Sequence, residues 1–356
     1  MLQRMPLQED KLHAFVGQML VDLGGAYSIG LVKLGHQLGL YRTLDERGPM
    51  TADALAKATG TTPRYIREWA SHHAASGYLA YNPDTEEFML PAEQAMVFAN
   101  SQSPVYLIDA FDMAERMLGN VPRVTTAFRN GGGVAWDHQD GCLFCTIARF
   151  FRPGYDNHVV ANWLPALDGV VEKLTRGAIV ADVGCGCGYS TVLMAKAFPN
   201  SQFVGFDFHE DSIVEAREHA KQHGAPGNVR FEVGAAKTFP GRYDLVTFFD
   251  CLHDMGDPAG AAAHVRQALK PDGTWMIVEP MAQDRLEENL NPVARLYYAA
   301  STMICVPTSL SQETGAALGA QAGEARLREI VTQGGGFTRF RRATETPFNM
   351  ILEARP

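Results

Sequence analysis

Hydrophobic residues recur with two different periods along this chain, and the change of period separates a helical region from a region of alternating strands and helices. In residues 11–40 apolar side chains return near helical spacing, from Phe15 and Met19 to Leu38. This spacing predicts a strongly apolar helical opening that would suit a core or a dimer surface. From about Gly169 onward, short apolar runs alternate with helical stretches, which predicts a parallel sheet covered by helices.

The second half of the chain predicts five strands and a closing hairpin. The strands are 178–183, 202–206, 228–232, 243–249 and 273–279, separated by helices such as 211–223 and 257–269. A helical excursion follows over 285–332, and then residues 336–342 and 349–355 form the hairpin. The expected fold is α/β: a Rossmann-like, doubly wound, seven-stranded sheet behind a mostly helical N-terminal winged-helix domain.

The winged helix is predicted from capping and turn residues. Thr51 and Gly60 cap one short helix, and Pro63 opens the next at its first position. The inward stripe of that second helix is Ile66, Trp69, Ala70 and His73. Two short strands, 77–81 and 87–90, flank a turn at 82–85, so three helices and a hairpin resemble a winged helix-turn-helix.

Such a module binds DNA in some proteins and joins subunits in others. Residues 40–90 hold five Lys/Arg against seven Asp/Glu, and the helix in the reading position offers Arg64 and Arg67 beside Glu68. A DNA reader normally presents a basic face. We therefore expect dimerisation through this domain, with nucleic-acid binding as the alternative.

Three segments follow from these patterns: a winged-helix domain (1–95), a helical linker and pocket lid (96–168) and a nucleotide-binding domain (169–356). The linker is rich in aromatic residues. These residues either cover a pocket or pack between the two domains, and the sequence alone does not decide between the two.

Composition narrows the function classes. A net charge of −9 argues against general affinity for nucleic acid or anionic membranes. Without a run of about 18 apolar residues or a signal-peptide core, the chain predicts no membrane span and a cytoplasmic protein. Six scattered cysteines predict reduced thiols rather than a disulfide framework. Cys142 and Cys145 lack a second ligand pair at zinc spacing, so no metal is expected.

The stretch AIVADVGCGCG at 178–188 indicates which kind of cofactor the second half of the chain binds. A buried strand reaches Asp182 and breaks into glycines at alternate positions before a helix, which brings backbone N–H groups close to a ligand. A Rossmann dinucleotide site needs G-x-G-x-x-G, and Asp182 would repel a pyrophosphate. Asp207, 19 residues after Gly188, can accept hydrogen bonds from both hydroxyls of a ribose. These features favour S-adenosylmethionine over NAD, and so disfavour an NAD-linked oxidoreductase.

With the motifs ADVGCGCG, GFDFHEDSI and RPGYDNHVVANWLPALDGV, the chain resembles the class I S-adenosylmethionine-dependent methyltransferases. It is most similar to the O-methyltransferase type with an N-terminal winged-helix dimerisation domain, over nearly its whole length. The resemblance implies cofactor contacts from Asp182, Gly184, Gly186, Gly188, Asp207, Phe208, Gly234, Ala235, Ala236, Phe249 and Asp250. Many relatives have an aspartate at position 235 for the adenine amino group, so here backbone and apolar contacts must hold the adenine.

The loop after the fourth strand is where the resemblance places a base. His253-Asp254-Met255 matches the family's H-D/N-W motif with Met in place of Trp, and Glu279 matches the carboxylate that orients the histidine. Glu324 is the candidate for a second such carboxylate. An imidazole can take a proton from a hydroxyl or thiol during methyl transfer. The alternative is that His253 only packs or caps the next helix, and Asp250 is likewise either a ligand or a turn residue.

Tyr155, Trp163, Tyr298 and Met303 are the candidate lining of an apolar acceptor pocket, unless they face a dimer partner. The sequence thus predicts a cytoplasmic, homodimeric methyltransferase that uses S-adenosylmethionine on a hydroxyl or thiol of a small-molecule acceptor. The alternative is a winged-helix transcriptional regulator that senses S-adenosylmethionine through a degenerate enzyme domain.

Overall fold

The structure is a computed structural model that describes residues 7–225 and 227–356. The chain divides into two compact units, one ending at Glu115 and the other spanning Arg116–Pro356. The segment 96–168, expected to be a separate linker, is shared between the two. Its first part belongs with the winged helix, and the rest belongs with the large sheet.

The first unit is a winged helix preceded by a long helix. Its elements are α1 (Glu9–Gln37), α2 (Leu40–Arg47), β1 (Met50–Thr51), α3 (Ala52–Thr59), α4 (Pro63–Ala75), β2 (Ala80–Asn82), β3 (Glu87–Met89), α5 (Ala92–Phe98) and α6 (Ile108–Gly119). The strands form a small antiparallel sheet in the order β1-β3-β2. Thr51 Oγ1 accepts from the Ala54 N–H at 3.2 Å, and Gly60 ends α3 with φ 65°. The predicted caps and hairpin are confirmed.

The core of this unit contains a buried histidine. Ile66, Trp69, Ala70 and His73 form the buried stripe of α4, as predicted. His73 Nε2 lies 2.6 Å from Tyr41 Oη, and Nδ1 lies 2.9 Å from the carbonyl oxygen of Trp69. Burial lowers the pKa of His73 to about 4, so the ring is neutral, accepts from Tyr41 and donates to Trp69.

Helix α1 exposes most of its apolar residues. Leu20, Val21 and Tyr27 are 66%, 74% and 72% exposed. Within the described residues, α1 is the one helix whose length and composition would allow it to cross a membrane. The sequence prediction of no membrane span counted uninterrupted apolar runs, which α1 lacks because polar residues are scattered along it, so the length and composition of α1 do not decide that prediction.

The second unit is built on a seven-stranded sheet. Its elements are α7 (Val121–Asn130), α8 (Leu143–His158), α9 (Val170–Arg176), β4 (Ile179–Val183), α10 (Tyr189–Ala197), β5 (Gln202–Asp207), α11 (Glu210–Gln222), β6 (Val229–Val233), β7 (Tyr243–Phe249), α12 (Pro258–Ala268), β8 (Leu269–Pro280), α13 (Pro292–Ala300), α14 (Val306–Leu310), α15 (Gly323–Glu329), β9 (Arg339–Glu345) and β10 (Asn349–Arg355). The predicted five strands and hairpin are all present.

The order of the strands in the sheet indicates where a ligand crevice lies. The sheet runs β6-β5-β4-β7-β8-β10-β9, with β10 antiparallel to its two neighbours and the other pairings parallel. The chain passes from β6 at one edge to β7 beside β4. Strand order therefore reverses between β4 and β7, and ligands of open α/β sheets bind beyond the carboxyl ends of strands at such a point.

The cysteines differ from the expectation of six reduced thiols. Cys142 and Cys145 form a disulfide at the start of α8, whereas Cys185, Cys187, Cys251 and Cys305 are free. Two residues separated by one helical turn lie close enough to bond, with Cα atoms 5.4 Å apart. The expectation was wrong for this pair because it rested on the scatter of all six cysteines.

Candidate functional site

The glycine loop joins β4 to α10 through left-handed backbone. Gly184, Gly186 and Gly188 have φ values of 72°, 51° and 75°, which glycine adopts most readily. A Cβ at Gly184 would lie 2.7 Å from Cys251 Sγ, and one at Gly188 would lie 2.6 Å from the Phe231 ring. Gly184 and Gly186 line the crevice, whereas Gly188 is absent from its lining and precedes α10 as its N-cap.

Asp182 lies behind this loop. Its carboxylate accepts from Ser190 Oγ at 2.7 Å, Thr191 Oγ1 at 2.6 Å and Thr247 Oγ1 at 2.9 Å. The side chain is buried and does not line the crevice. Burial raises its pKa above the usual range although the three hydroxyls oppose the shift. In this structure Asp182 ties β4 to α10 and β7, directly behind the loop whose Gly184 and Gly186 line the crevice.

Asp207 ends β5 at the crevice. Its Oδ2 accepts from the Gly186 N–H and its Oδ1 from the His209 N–H, both at 2.9 Å. Burial raises its pKa, partly offset by these two N–H donors. A carboxylate can accept about four hydrogen bonds, and Asp207 lines the crevice, so it keeps some hydrogen-bonding capacity for a ligand. Phe208 beside it is 56% exposed on the rim.

A cavity of about 360 Å³ opens at the carboxyl ends of β4, β5 and β7. Of the predicted site residues it is lined by Tyr155, Gly184, Gly186, Asp207, Phe208, Gly234, Ala235, Ala236, Phe249 and Asp250. One wall comes from α8, through Phe144, Ile147, Ala148, Phe151 and Tyr155. Aromatic residues of the middle segment thus roof a pocket, which was one of the two alternatives.

Asp250 is held at the inner end of this cavity. Its backbone has a positive φ of 49°, an uncommon conformation for a residue with a side chain. Tyr155 Oη donates to its Oδ2 at 3.0 Å, and Asn349 Nδ2 donates to its Oδ1 at 2.9 Å. Burial and the nearby Glu279 raise the pKa of Asp250 to about 8. With this pKa the Asp250 carboxyl is largely protonated at neutral pH.

His253 and Glu279 form the predicted pair, but the pair lies behind the wall. His253 Nδ1 is 2.6 Å from Glu279 Oε2, and the Leu252 N–H donates to Glu279 Oε1 at 3.0 Å. His253 is 4% exposed and Glu279 is 2% exposed. Neither residue lines the cavity, whereas the next residue, Asp254, does.

Asp254 connects the buried pair to the cavity. Its Oδ1 lies 3.3 Å from His253 Nε2, so the imidazole lies between two carboxylates. Burial alone would lower the pKa of His253, but Glu279 and Asp254 raise it well above its ordinary value. The Cys305 thiol lies beside both, and the ligand-type atoms of His253, Asp254 and Cys305 are all within 4.8 Å of one another. The arrangement is a carboxylate–imidazolium–carboxylate chain with one end at the cavity.

Four other expected site residues lie elsewhere. Glu324 pairs with Arg342 at 2.8 Å and Arg328 at 2.6 Å, far along the chain from the His253 pair and outside the cavity lining. Trp163 is buried behind the cavity, where its ring contacts those of Tyr155 and Phe249. Tyr298 and Met303 are also outside the lining, and Met303 packs against a small cluster around Val124. The aromatic wall of the cavity therefore comes from α8, and the helical excursion contributes other residues to the lining than Tyr298 and Met303.

Sequence reasoning missed part of the lining. Asp254 belongs to the motif His253-Asp254-Met255, in which only the histidine was assigned a role from the sequence. Phe144, Phe151 and Tyr155 recur at helical spacing, which was a usable signal for one wall. Thr308 and Gln312 also line the cavity, and they had no local signal because the chain brings them there from α14 and the turn after it.

Comparison with known proteins gives two family matches. A methyltransferase domain covers residues 174–335, and an Rv2258c-like winged HTH domain covers residues 26–100. A curated relative, the ubiquinone biosynthesis O-methyltransferase of Bordetella parapertussis, is 34% identical over 186 residues, which are 49% of this chain and 71% of the relative. The chain spans only about half the length of several other curated relatives of that name.

Solved structures share the whole architecture. A putative O-methyltransferase from Nostoc punctiforme aligns with a TM-score of 0.72 at 18% identity, covering 96% of this chain and 98% of that one. Human N-acetylserotonin methyltransferase, solved in complex with S-adenosylmethionine, aligns at 0.69 with 16% identity and 99% coverage of both chains. At these identities the likeness concerns the fold. Together with the relative matched over two thirds of its length, the two domains show that the chain belongs to the class I S-adenosylmethionine-dependent methyltransferases, in the O-methyltransferase type with an N-terminal winged helix.

Proposed function

We propose that this protein binds S-adenosylmethionine and transfers its methyl group to a hydroxyl or thiol of a small-molecule acceptor. The observation that carries the proposal is the cavity at the strand-order reversal, where the glycine loop and Asp207 lie on one side and the aromatic wall of α8 on the other. Bound S-adenosylmethionine supplies an electrophilic methyl group on a sulfonium sulfur.

The nucleotide part fits the end of the cavity near β5. Asp207 lines this end and keeps hydrogen-bonding capacity for the hydroxyls of a ribose. Phe208 and the segment Gly234–Ala236 offer apolar and backbone contacts to an adenine. Asp182 acts indirectly in this proposal, because it fixes the loop whose Gly184 and Gly186 line the site.

The acceptor fits beside α8. Ile147, Phe151 and Met255 make this part of the cavity apolar, which suits an aromatic or lipophilic ring. Rings packed edge-to-face or offset gain about 0.5–1.5 kcal/mol beyond their area burial. The reaction needs in-line alignment and exclusion of water, and the wall formed by α8 shields one side of the cavity from solvent.

Asp254 is the proposed proton acceptor at the cavity wall, with the His253 imidazolium behind it as its charged partner. Since Glu279 and Asp254 flank the ring, the three groups titrate as one unit rather than singly. A proton leaving the acceptor hydroxyl arrives at Asp254, on the cavity wall, and the buried imidazolium and Glu279 compensate the charge. This arrangement gives the histidine a supporting role in place of the direct base expected from the sequence, and it accounts for the burial of the ring.

We further propose a cytoplasmic homodimer that covers α1. The most apolar 18-residue stretch of α1 is only 11% buried, so this helix needs a partner surface. A second copy of the chain supplies a matching apolar face. The acidic balance of residues 40–90 opposes the regulatory alternative, in which the winged helix would bind DNA.

The experiment is an acceptor panel. Purified protein is incubated with methyl-labelled S-adenosylmethionine and a set of phenols, thiols and amines, and labelled products are identified by mass spectrometry. The proposal expects product with aromatic hydroxyls or thiols. Label transfer to amines alone would contradict the acceptor class, and cofactor binding without transfer to any member would favour a sensing role.

A further inference from the structure

The first turn of α8 carries a feature that methyl transfer does not use. Cys142 and Cys145 are joined by a disulfide one helical turn apart. Cys142 is exposed and Cys145 is half-buried. Thiols and disulfides in solution can therefore reach this bond from the Cys142 side.

The residue inside this turn contacts the nucleotide end of the cavity. Phe144 lies between the two cysteines and lines the cavity. Its ring meets that of His209 edge-on, with centroids 4.8 Å apart. The N–H of His209 donates to Asp207, the carboxylate assigned to the ribose. Phe144 thus links the disulfide turn to the cavity directly and, through His209, to Asp207.

The chain before the disulfide is anchored from both sides. Gln139 Nε2 donates to Thr308 Oγ1 at 3.2 Å, and the Asp140 N–H donates to Asn120 Oδ1 at 2.9 Å. After the disulfide, the Thr146 hydroxyl donates to the carbonyl of Cys142 at 3.1 Å. The bond therefore closes a short turn between a fixed loop and the body of α8, where it restricts the position of Phe144.

We propose that Cys142 and Cys145 form a reversible thiol–disulfide site whose oxidised form tightens binding of the nucleotide part of the cofactor. The inference rests on the proposed S-adenosylmethionine site. The oxidised turn holds Phe144 against His209 before the ligand arrives, so less side-chain freedom is lost on binding. Reduction releases that restraint.

The exchange balances with a low-molecular-weight thiol such as glutathione. Its thiolate attacks Cys142 Sγ, forms a mixed disulfide there and releases Cys145 as a thiolate, which takes up a proton. A second thiol cleaves the mixed disulfide. Overall, one protein disulfide and two small thiols give two protein thiols and one small disulfide, a two-electron exchange that the small disulfide reverses.

The other cysteines are poor competitors for this exchange. Burial raises the pKa of Cys187 and of Cys305 to about 12, and it also raises those of Cys185 and Cys251 well above the ordinary range. Protonated thiols are weak nucleophiles. Reduced Cys142, by contrast, is exposed at the N-cap of a 16-residue helix, a position that favours a thiolate.

The test compares two redox states of the full-length protein. One sample is equilibrated with glutathione disulfide and the other with dithiothreitol. A portion of each is alkylated with N-ethylmaleimide for peptide mapping, and the remainder is used without alkylation. The affinity for S-adenosylhomocysteine is measured calorimetrically in both. We expect Cys142 and Cys145 to be alkylated after reduction only, and the dissociation constant to rise about three- to tenfold on reduction.

The double variant Cys142→Ser/Cys145→Ser is the control for effects at other thiols. It should bind with the affinity of the reduced protein in both buffers. Equal affinity in the two states of the unmodified protein, a pair that stays unchanged in either buffer, or a variant that still responds would each overturn the inference. Absence of S-adenosylhomocysteine binding in both states would instead contradict the proposed function.

Discussion

His253 Nδ1 lies 2.6 Å from Oε2 of Glu279, and both side chains are buried behind the cavity wall. Glu279 raises the pKa of the imidazole. Replacing Glu279 by Gln removes this charge, so the proton affinity of the linked groups falls and the acidic limb of the kcat–pH profile moves to lower pH. We expect kcat to fall about tenfold or more with a hydroxyl acceptor.

His253→Ala should lower kcat at least about tenfold and leave binding of S-adenosylhomocysteine intact. Parallel thermal unfolding separates chemistry from folding. Unchanged turnover in a folded His253→Ala protein would show that the histidine is structural, which is the alternative the sequence left open.

The loss of kcat on replacing Asp254 is expected to depend on the acidity of the acceptor. Asp254→Asn removes the carboxylate at the cavity wall, so kcat should fall about tenfold or more with a weakly acidic phenol. A nitrophenol or thiophenol that is already ionised needs no base and should lose far less. Asp272→Asn, a carboxylate paired with Lys173 on the surface, is the matched control. Equal losses with both acceptors would contradict the proton-transfer role.

The two aspartates of the glycine-loop region should behave differently. Asp207→Asn removes a charged acceptor that faces the cavity, and the affinity for S-adenosylhomocysteine should fall about 10- to 100-fold. Asp182→Asn disturbs three buried hydroxyl hydrogen bonds and should mainly lower the unfolding temperature. Calorimetry and thermal unfolding of both variants check this contrast, which reversed effects would refute.

The winged-helix unit should lose stability in mild acid through His73. The pKa of this buried ring is lowered to about 4 from 6.5, so between these values the unfolded chain binds more protons than the folded one. Stability is therefore complete above pH 6.5 and falls as the pH drops towards 4. His73→Gln should flatten this dependence, measured by denaturant unfolding of the full chain across that range. A slope that persists in His73→Gln would assign the effect to other groups.

The dimer proposal is tested on α1. Leu20→Glu places a charge on its exposed apolar face and should convert the dimer to monomer in light scattering after size exclusion. Leu286→Glu, at a comparably exposed leucine of the second unit, is the control and should stay dimeric. A monomeric unmodified protein that floats with lipid vesicles would instead indicate that α1 binds membranes.

The strands of the large sheet could be predicted because strands buried on both faces are continuous apolar runs. The burial of Asp182 could not, since Thr247, one of its partners, lies 65 residues away on β7. Likewise, the sequence placed His253 at a strand end, but it carried no sign that Asp254 would occupy the cavity wall. Such details depend on long-range packing, whereas caps, turns and the glycine loop are encoded locally.

The proposal as a whole depends on which nucleotide the cavity takes. Calorimetric titration of the purified full-length protein with S-adenosylmethionine, and separately with NADH, decides this most directly. We predict saturable one-site binding of S-adenosylmethionine and no measurable binding of NADH. Saturable binding of NADH with none of S-adenosylmethionine would contradict the proposed function.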